Sequence, residues 1–352
     1  MIEDLVVDQR RIGQSHAPFV VAEMSSNHNQ SLERALNIAK AAADAGVDAL
    51  KLQTYTPETM TLNLDSGDFF ISNQDSPWKN RILYELYKQA YTSWEWQEKI
   101  FQYCKELKII CFSTPFDSSA VDFLQKLNNP IYKIASFENV DLPLVRRVAS
   151  LNKPILLSTG MASISELSET VDAIKEQNNN KICLLKCTSS YPSSPKDSHI
   201  NTIPHMRQLF NVQTGLSDHT LGIGVALASI SLGSTIIEKH FTLCRADGGV
   251  DAAFSLEPNE MKQLVKEAKM AWQSLGNVFY GITESEIKSK VFRRSIYVAE
   301  DIMEGELITS KNVRCVRPGY GLQPKYYDLI QGKKVNRKLD RGMPMKLEYL
   351  FI

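Results

Sequence analysis

Several signals that would place this chain in other functional classes are missing from it. Lys plus Arg and Asp plus Glu number 40 each, so no net charge attracts nucleic acid or an anionic membrane. No segment approaches the roughly 20 apolar residues of a membrane span, and the start, MIEDLVVDQRRIG, lacks the apolar stretch of a signal peptide. We therefore expect a cytoplasmic protein with no nucleic-acid or membrane partner.

Two common cofactor motifs are also missing. The six cysteines are scattered, and none forms the CxxC pair of a redox or zinc-knuckle site. No GxGxxG follows the first predicted strand, which argues against a dinucleotide-binding sheet. The hydrophobic share of 43% is that of an ordinary globular protein with a well-buried core.

Short β-rich segments alternate with longer helical patterns through the first four fifths of the sequence. Eight such segments occur: FVVAEM from Phe19, ALKLQTY from Ala49, IICFSTP from Ile109, IYKIAS from Ile131, PILLST from Pro154, ICLLKCT from Ile182, NVQTGLS from Asn211 and TIIEKHF from Thr235. This alternation is typical of repeated βα units around a parallel sheet. Eight units favour a closed (β/α)8 TIM barrel over the open doubly wound alternative.

Two parts of the chain depart from this alternation. Residues 62–91 are rich in aromatic and turn residues where a plain helix should follow, and we interpret them as an inserted active-site loop. The tail has short β segments and no long amphipathic helix, which indicates a compact, mostly β or irregular module. We predict a barrel domain over 1–280, a linker over 281–290 and a small second domain over 291–352.

Polar residues gather at the predicted carboxyl ends of the strands, where TIM barrels carry their active sites. They are Glu23, Lys51, Gln53, Thr114, Lys133, Ser136, Ser158, Lys186, His219, Glu238 and His240. A lysine inside an apolar strand is costly to bury unless it is paired. Lys51, Lys133 and Lys186 therefore favour a pocket for phosphate and carboxylate groups, although pairing with buried glutamates is a simpler alternative.

Two histidines suggest a metal site. His219 and His240 come from neighbouring predicted strands about 4.8 Å apart, and barrel closure brings Glu23 beside them. Two nitrogen ligands without a thiolate suit a labile octahedral ion such as manganese or magnesium better than structural zinc. Packed or hydrogen-bonded histidines are the alternative interpretation.

A set of motifs in a fixed order identifies a family resemblance. The set comprises AEMSSNHN from Ala22, KLQTY from Lys51, STPFD from Ser113, YKIAS from Tyr132, LSTGM from Leu157, KCTSSYPS from Lys186, GLSDHT from Gly215, EKHFTL from Glu238 and RPGYG from Arg317. The chain resembles the sialic acid synthase family over nearly its whole length. The resemblance implies a TIM barrel followed by a small antifreeze-like domain of the β-clip or SAF type. AEMSSNHN and the aromatic stretch from Trp78 are most similar to the branch that makes pseudaminic acid.

The resemblance also implies the reaction and the site. Members of the family condense phosphoenolpyruvate with an amino-sugar aldehyde. Catalytic positions fall on Glu23, Lys51, Lys133, His219 and His240, the two histidines being the metal ligands. Substrate-binding positions fall on Gln53, Thr114, Ser136, Glu138, Ser158, Tyr191, Ser217, Asp251 and Arg317. The implied cofactor is a divalent metal, Mn²⁺ with Mg²⁺ or Co²⁺ as alternatives, and Arg317 implies a domain-swapped homodimer in which it reaches the partner's barrel.

Three questions stay open at this point. The acceptor is expected to be a 2,4-diacetamido-2,4,6-trideoxy hexose, with N-acetylmannosamine or the sugar of the legionaminic acid route as alternatives. A Schiff-base aldolase that uses Lys133 or Lys186 as nucleophile would fit the same barrel. A non-catalytic sugar-binding or ice-binding protein that keeps the terminal module is the third alternative.

Overall fold

The structure, a computed structural model, describes residues 2–72 and 78–351. Its strands are β1 (Leu5–Val7), β2 (Arg10–Ile12), β3 (Phe19–Glu23), β4 (Ala49–Thr54), β5 (Ile110–Pro115), β6 (Tyr132–Ile134), β7 (Ile155–Ser158), β8 (Ile182–Cys187), β9 (Gln213–Asp218), β10 (Ile236–His240), β11 (Ser295–Val298) and β12 (Val313–Val316). Its helices are α1 (Leu32–Ala45), α2 (Pro57–Met60), α3 (Leu83–Ala90), α4 (Trp94–Glu106), α5 (Ser118–Lys126), α6 (Leu142–Ala149), α7 (Ile164–Lys175), α8 (Thr202–Phe210), α9 (Gly224–Ser231), α10 (Pro258–Leu275) and α11 (Tyr327–Ile330).

Strands β3 to β10 form a closed parallel barrel. They follow one another around the barrel in chain order, and β10 pairs with β3 to complete it. Each of the eight β-rich segments of the sequence contains one of these strands. The predicted (β/α)8 fold is therefore confirmed, and the closing pair excludes the doubly wound alternative.

Local signals set the ends of the surrounding helices. α1 begins after Ser31, whose side chain accepts a hydrogen bond from the Arg34 backbone N–H at 3.2 Å. It ends at Gly46, whose φ of 85° lies in the left-handed region that favours glycine. Only two residues then separate Gly46 from Ala49, the first residue of β4. In the described part of the chain, no helix is both long and apolar enough to cross a membrane.

The two faces of the barrel strands are buried in different surroundings, because successive side chains of a strand point to opposite sides. In β4, Leu50 and Leu52 face outward and join an apolar layer that includes helix residues such as Ile38. The alternate residues, Ala49 and Lys51, face the barrel interior. The interior is therefore apolar at the amino ends of the strands and polar toward their carboxyl ends.

A short N-terminal hairpin, β1 and β2, accompanies the apolar end of the interior. Leu5, Val7 and Ile12 of this hairpin are buried in one cluster with residues from the amino ends of the barrel strands. The barrel members of that cluster are Phe19, Val21, Ala49, Phe112, Ile131, Leu156, Cys183, Leu185 and Ile236. The hairpin, which the sequence patterns did not predict, thus closes the amino-terminal end of the barrel with apolar side chains.

The irregular segment 62–91 follows β4 and α2. It contains a bridge between Phe70 and Ile82 and ends in α3. The Trp78 ring lies 6.1 Å from the ring of Tyr191, which follows β8 at the carboxyl end of the barrel. The segment therefore reaches the barrel mouth, as an active-site insertion requires, although its residues 73–77 lie outside the described residues.

The chain divides into two compact units, Met1–Gly276 and Asn277–Ile352. The second unit contains the antiparallel pair β11 and β12, several isolated bridges and a small apolar core of its own. Its first part includes a 3-10 helix over Glu284–Phe292, which overlaps the stretch expected to be a linker. The domain limits drawn at 280 and 291 stay predictions.

Candidate active site

Four buried ionisable side chains meet inside the barrel, toward the carboxyl ends of its strands. Lys51 Nζ lies 2.7 Å from Glu23 Oε2 and 3.6 Å from Glu238 Oε1, and Lys133 Nζ lies 3.6 Å from the same Glu238 oxygen. Each side chain is at most 5% exposed. We call Glu23, Lys51, Lys133 and Glu238 the lysine–carboxylate cluster. With two acids and two bases it balances its own charge, which is how a barrel interior can hold it.

The surroundings shift the pKa values of the four side chains in the cluster in different directions. Burial raises the pKa of Glu23 by more than the neighbouring Lys51 lowers it. Burial also acts on Glu238, but Lys133 and Lys51 outweigh it and the pKa of Glu238 is lowered. Burial likewise lowers the pKa of Lys133, whereas for Lys51 the two glutamates outweigh burial and raise it. Glu238 is therefore the carboxylate that stays ionised, and Glu23 is the group better suited to take up or give a proton.

Hydrogen bonds lead from the cluster to the rim of the barrel. Gln53 Nε2 donates to Glu23 Oε1 at 2.9 Å and to Ser25 Oγ at 3.0 Å. Ser25 Oγ in turn donates to Asp251 Oδ2, which also accepts from Ser26 Oγ at 3.3 Å. The side chain of Gln53 thereby holds the carboxylate of Glu23 in one orientation, and Asp251 is fixed at the mouth.

Hydroxyl groups line the same part of the interior. Lys51 Nζ donates to Thr114 Oγ1 at 3.3 Å, and Ser217 Oγ donates to Glu238 Oε1 at 3.1 Å. Ser136 Oγ accepts from Ser189 Oγ at 2.7 Å. Ser158 Oγ is buried and has no hydrogen-bond partner among the described residues. Lysines beside free hydroxyl donors form a pocket suited to an oxyanion.

A turn at the end of β7 brings Ser158 to this pocket. Asn139 Nδ2 donates to the carbonyls of Ser158 and Thr159, at 3.2 Å and 3.0 Å. Gly160 has a φ of 46°, and a Cβ there would lie 2.4 Å from Ser136 Cβ. Only glycine therefore allows this turn to pack so closely against β6.

The two histidines converge above the cluster. The centroids of the His219 and His240 rings lie 5.4 Å apart, and the Tyr191 ring lies 4.4 Å from that of His219. His219 Nδ1 lies 2.9 Å from the carbonyl oxygen of Thr188 and must donate to it, which leaves Nε2 with its lone pair. Burial lowers the pKa of His240, so this imidazole stays neutral.

These two side chains fit a metal ion that needs few protein ligands. His240 Nδ1 is buried without a hydrogen-bond partner among the described residues, and the backbone contact of His219 is the kind that orients a metal-binding imidazole. In the described ranges, no group of three or more His, Cys, Asp or Glu side chains is arranged to hold a metal. The arrangement thus suits an ion that keeps water or substrate oxygen in its other positions.

Glu138 lies beyond the end of β6. Its Oε2 is buried without a hydrogen-bond partner within the described residues, and burial raises its pKa to about 7. A carboxyl group with this pKa can accept or donate a hydrogen bond near neutral pH. Glu138 is therefore a group that a polar ligand at the barrel mouth would complete.

Thirteen of the fourteen sequence-predicted site residues belong to the first unit, and the structure places them around one interior. Arg317 belongs to the second unit, where it follows β12. Lys186, which the sequence grouped with the other two strand lysines, does not join them. It lies between inward-facing Leu185 and Cys187, is partly exposed, and donates through Nζ to the Cys187 carbonyl at 2.8 Å.

Two further residues, Ser25 and Cys187, enter the site that the sequence analysis did not select, and Glu238 has a role there that it did not predict. Glu238 is the shared partner of both lysines. Ser25 links Gln53 to Asp251. Cys187 lies with Sγ 4.0 Å from His219 Nδ1. Glu238 lies two residues before His240 and was already selected with it on that face of the strand, but the sequence pattern did not indicate its pairing with both lysines.

The chain matches two family models. Residues 38–280 match the NeuB family, and residues 293–347 match the SAF domain. The chain therefore belongs to the NeuB family and is an enzyme of that family. The resemblance inferred from the motifs is confirmed, as is the small SAF-type domain after the barrel.

Its relatives include enzymes of known product. The chain is 42% identical over 328 residues to a pseudaminic acid synthase of Campylobacter jejuni, covering 93% of this chain and 95% of the relative. It is 40% identical over 332 residues to the pseudaminic acid synthase of Helicobacter pylori, covering 94% and 97%. A crystal structure of the N-acetylneuraminic acid synthetase from Leptospira borgpetersenii, 29% identical, superposes with a TM-score of 0.73 over 82% of this chain and 95% of that one.

Proposed function

We propose that this enzyme condenses phosphoenolpyruvate with 2,4-diacetamido-2,4,6-trideoxy-L-altrose and water, giving pseudaminate and phosphate. The observation that carries the proposal is the buried lysine–carboxylate cluster directly beneath a converging pair of histidines. The 40–42% identity to pseudaminic acid synthases supports this choice of sugar.

Phosphoenolpyruvate would occupy the interior above the cluster. Lys51 and Lys133 would face its phosphate and carboxylate, since they are cations held among donor groups in a dry site. Hydroxyl and amide donors complete this subsite: Gln53, Thr114, Ser136, Ser158 and Ser217. The free hydroxyl of Ser158 is available to the ligand without breaking a bond.

The reaction then needs one new carbon–carbon bond and one broken carbon–oxygen bond. C3 of phosphoenolpyruvate attacks the aldehyde carbon of the open-chain sugar, whose oxygen takes up a proton, and C2 becomes electron-poor. The protonated carboxyl of Glu23 gives that proton to the aldehyde oxygen, and Glu23 regains a proton from the water that adds at C2, a role for which its raised pKa suits it. The tetrahedral intermediate expels phosphate by C–O cleavage, and the proton of its C2 hydroxyl passes to the departing phosphate as the keto group forms, while Lys51 and Lys133 balance the phosphate charge.

A divalent ion held by His219 and His240 would supply Lewis acidity toward the aldehyde oxygen. We propose Mn²⁺, with Mg²⁺ and Co²⁺ as alternatives, because two imidazoles leave room for oxygen ligands. Asp251 Oδ2 lies 4.0 Å from His240 Nδ1, beside the place that we propose for the ion. His240→Ala should abolish both Mn²⁺ binding and turnover while leaving a folded protein, because this residue lies at the barrel rim.

The sugar would lie at the mouth of the barrel. Glu138, Tyr191 and Asp251 follow the ends of strands there and offer a carboxyl group, an aromatic face and a carboxylate. We propose that Arg317 of a second subunit contacts an acyl group of the sugar, in a domain-swapped homodimer.

Exposed apolar side chains support the dimer. At the start of the second unit, Val278 and Tyr280 are 92% and 94% exposed, and Phe279, Ile287 and Phe292 are each more than half exposed. Such a group of large apolar side chains is typical of a surface that a partner covers. Sedimentation equilibrium should give twice the mass of 39.7 kDa. A cytoplasmic location stays a prediction.

The proposal is tested by phosphate release from phosphoenolpyruvate with Mn²⁺, offering the altro sugar, N-acetylmannosamine and the legionaminic-route hexose separately. Release with the altro sugar alone supports the proposal. Release with another sugar alone would assign the enzyme to a sister activity of the family. A covalent adduct trapped by borohydride with pyruvate would instead indicate a Schiff-base aldolase, and no release with any sugar would favour a binding protein.

A further inference from the structure

A fully buried ion pair lies behind the two histidines, on the outer face of their strands. Lys239 Nζ is 3.0 Å from Asp218 Oδ2, and the two side chains are 0% and 2% exposed. Lys239 precedes inward-facing His240 on β10, so its own side chain points away from the interior. Neither residue touches the substrate pocket, and neither has a place in the proposed chemistry.

This ion pair brackets His219. Lys239 Nζ also donates to the Thr220 carbonyl at 2.5 Å, and Asp218 Oδ1 accepts from the Thr220 backbone N–H at 2.9 Å. Asp218 and Thr220, the two chain neighbours of His219, are thus both bound to the side chain of Lys239, the residue before His240. We call Lys239, Asp218 and Thr220 the histidine clamp.

The clamp lies where the regular pairing of the two strands ends. The register of β9 with β10 runs from Leu216 and Ile237 to Asp218 and Lys239. His219 comes after the last residue of β9, so this register does not fix its position relative to His240. A buried ion pair also adds little stability compared with a well-packed apolar pair. We therefore expect the ion pair to contribute more to the relative position of the two histidines than to folding stability.

We propose that Lys239 and Asp218 are positioning residues, which set the separation of the His219 and His240 rings so that both can bind one divalent ion. The proposal rests on the metal site proposed above. It assigns a role to two residues that never contact the ion, and it predicts that metal affinity depends on them. Outer residues that orient metal-binding histidines typically change affinity by about 10–100-fold when replaced.

The test measures Mn²⁺ binding to metal-free protein, from the electron paramagnetic resonance signal of free Mn²⁺. Lys239→Met and the double variant Lys239→Met with Asp218→Asn should both bind Mn²⁺ about 10–100-fold more weakly. The double variant leaves no unpaired buried charge, so it keeps the test valid if the single variant does not fold. Arg10→Met is the matched control, because it breaks an ion pair with Asp48, 2.7 Å long, at β2.

A second readout does not need the metal. The imidazole nitrogen resonances of ¹⁵N-histidine-labelled protein, assigned with His219→Asn and His240→Asn, should move for these two rings in the clamp variants and not in Arg10→Met. Unchanged Mn²⁺ affinity and unmoved resonances in folded variants, even with a lower melting temperature, would overturn the proposal. If the unaltered protein binds no Mn²⁺, the metal proposal fails, and the resonances alone decide whether the clamp positions the rings.

Discussion

The two ends of the barrel interior are built from the same eight strands, but one end is apolar and the other is charged. At the amino ends, residues such as Phe19 and Phe112 pack with hairpin residues into an apolar cluster. At the carboxyl ends, Lys51 and Glu238 belong to a cluster whose members are all charged or titratable. The difference teaches that one end contributes mostly to stability and the other mostly to chemistry, so variants at the two ends should separate these quantities.

The largest effect is expected at the charged end. Lys51→Met removes a cation from the proposed phosphoenolpyruvate subsite and should lower kcat/KM for this substrate by about a thousandfold. Steady-state phosphate release measures it, with circular dichroism to verify folding. Lys186→Met is the control, because it removes the partly exposed lysine of β8 that stands apart from the cluster. Equal losses of kcat/KM in the two variants would contradict the conclusion that Lys51 belongs to the site and Lys186 does not.

The apolar end should behave in the opposite way. Ile12→Ala empties space beneath the barrel and should lower the free energy of unfolding by about 3 kcal/mol. Urea denaturation measures this loss, whereas kcat and both KM values should stay near those of the unaltered enzyme. A large fall in kcat with little change in stability would show that the two ends are not independent.

Acid should lower the folding stability of the protein through His28, which lies in the loop after β3 at the charged end of the barrel. His28 Nδ1 accepts from the Gln30 backbone N–H at 3.1 Å, so its Nε2 carries the proton and donates to Thr92 Oγ1 at 3.1 Å. Burial lowers the pKa of His28 from 6.5 to about 4. The unfolded chain therefore takes up a proton first as the pH falls. The associated stability is complete above pH 6.5 and is lost toward pH 4, a change of about 3 kcal/mol.

Stability curves at several pH values check this dependence. His28→Gln should flatten the loss between pH 6.5 and 4, because glutamine does not titrate there. His205→Gln replaces an exposed histidine and should leave the curve unchanged. An unaltered slope in His28→Gln would assign the acid sensitivity to other groups.

The smallest effect is expected outside the barrel. Arg317→Ala should raise the KM for the sugar about tenfold, the equivalent of one charge-assisted hydrogen bond, and leave the KM for phosphoenolpyruvate unchanged. Initial rates with each substrate varied in turn measure both constants. An unchanged KM for the sugar would remove Arg317 from the site.

Much of the fold could be predicted from the sequence. Each barrel strand lies in one of the short β-rich segments between helical patterns, and the convergence of His219 with His240 followed from neighbouring strands. The hairpin could not be predicted in this way, since the triplets LVV and RRI are too short to show a period. Lys186 was misplaced because a shift of one residue reverses the face to which a strand side chain points.

Part of the site could be recognised only from the three-dimensional structure. The bridging position of Glu238 depends on the distances of two lysines from strands far apart in the chain. Likewise, the residues Lys239 and Asp218 carry no pattern that would separate a clamp from an ordinary buried pair. Sequence patterns identify which residues are chemically capable, while register and distance decide which of them act together.

The hairpin that seals the amino-terminal end has one more consequence. Because it covers that end with apolar side chains, we expect reactants and products to enter and leave at the carboxyl ends of the strands. The residues proposed to bind phosphoenolpyruvate lie mostly within the strands, and those proposed to bind the sugar lie in the loops beyond them. We therefore expect an ordered sequence in which phosphoenolpyruvate binds before the sugar.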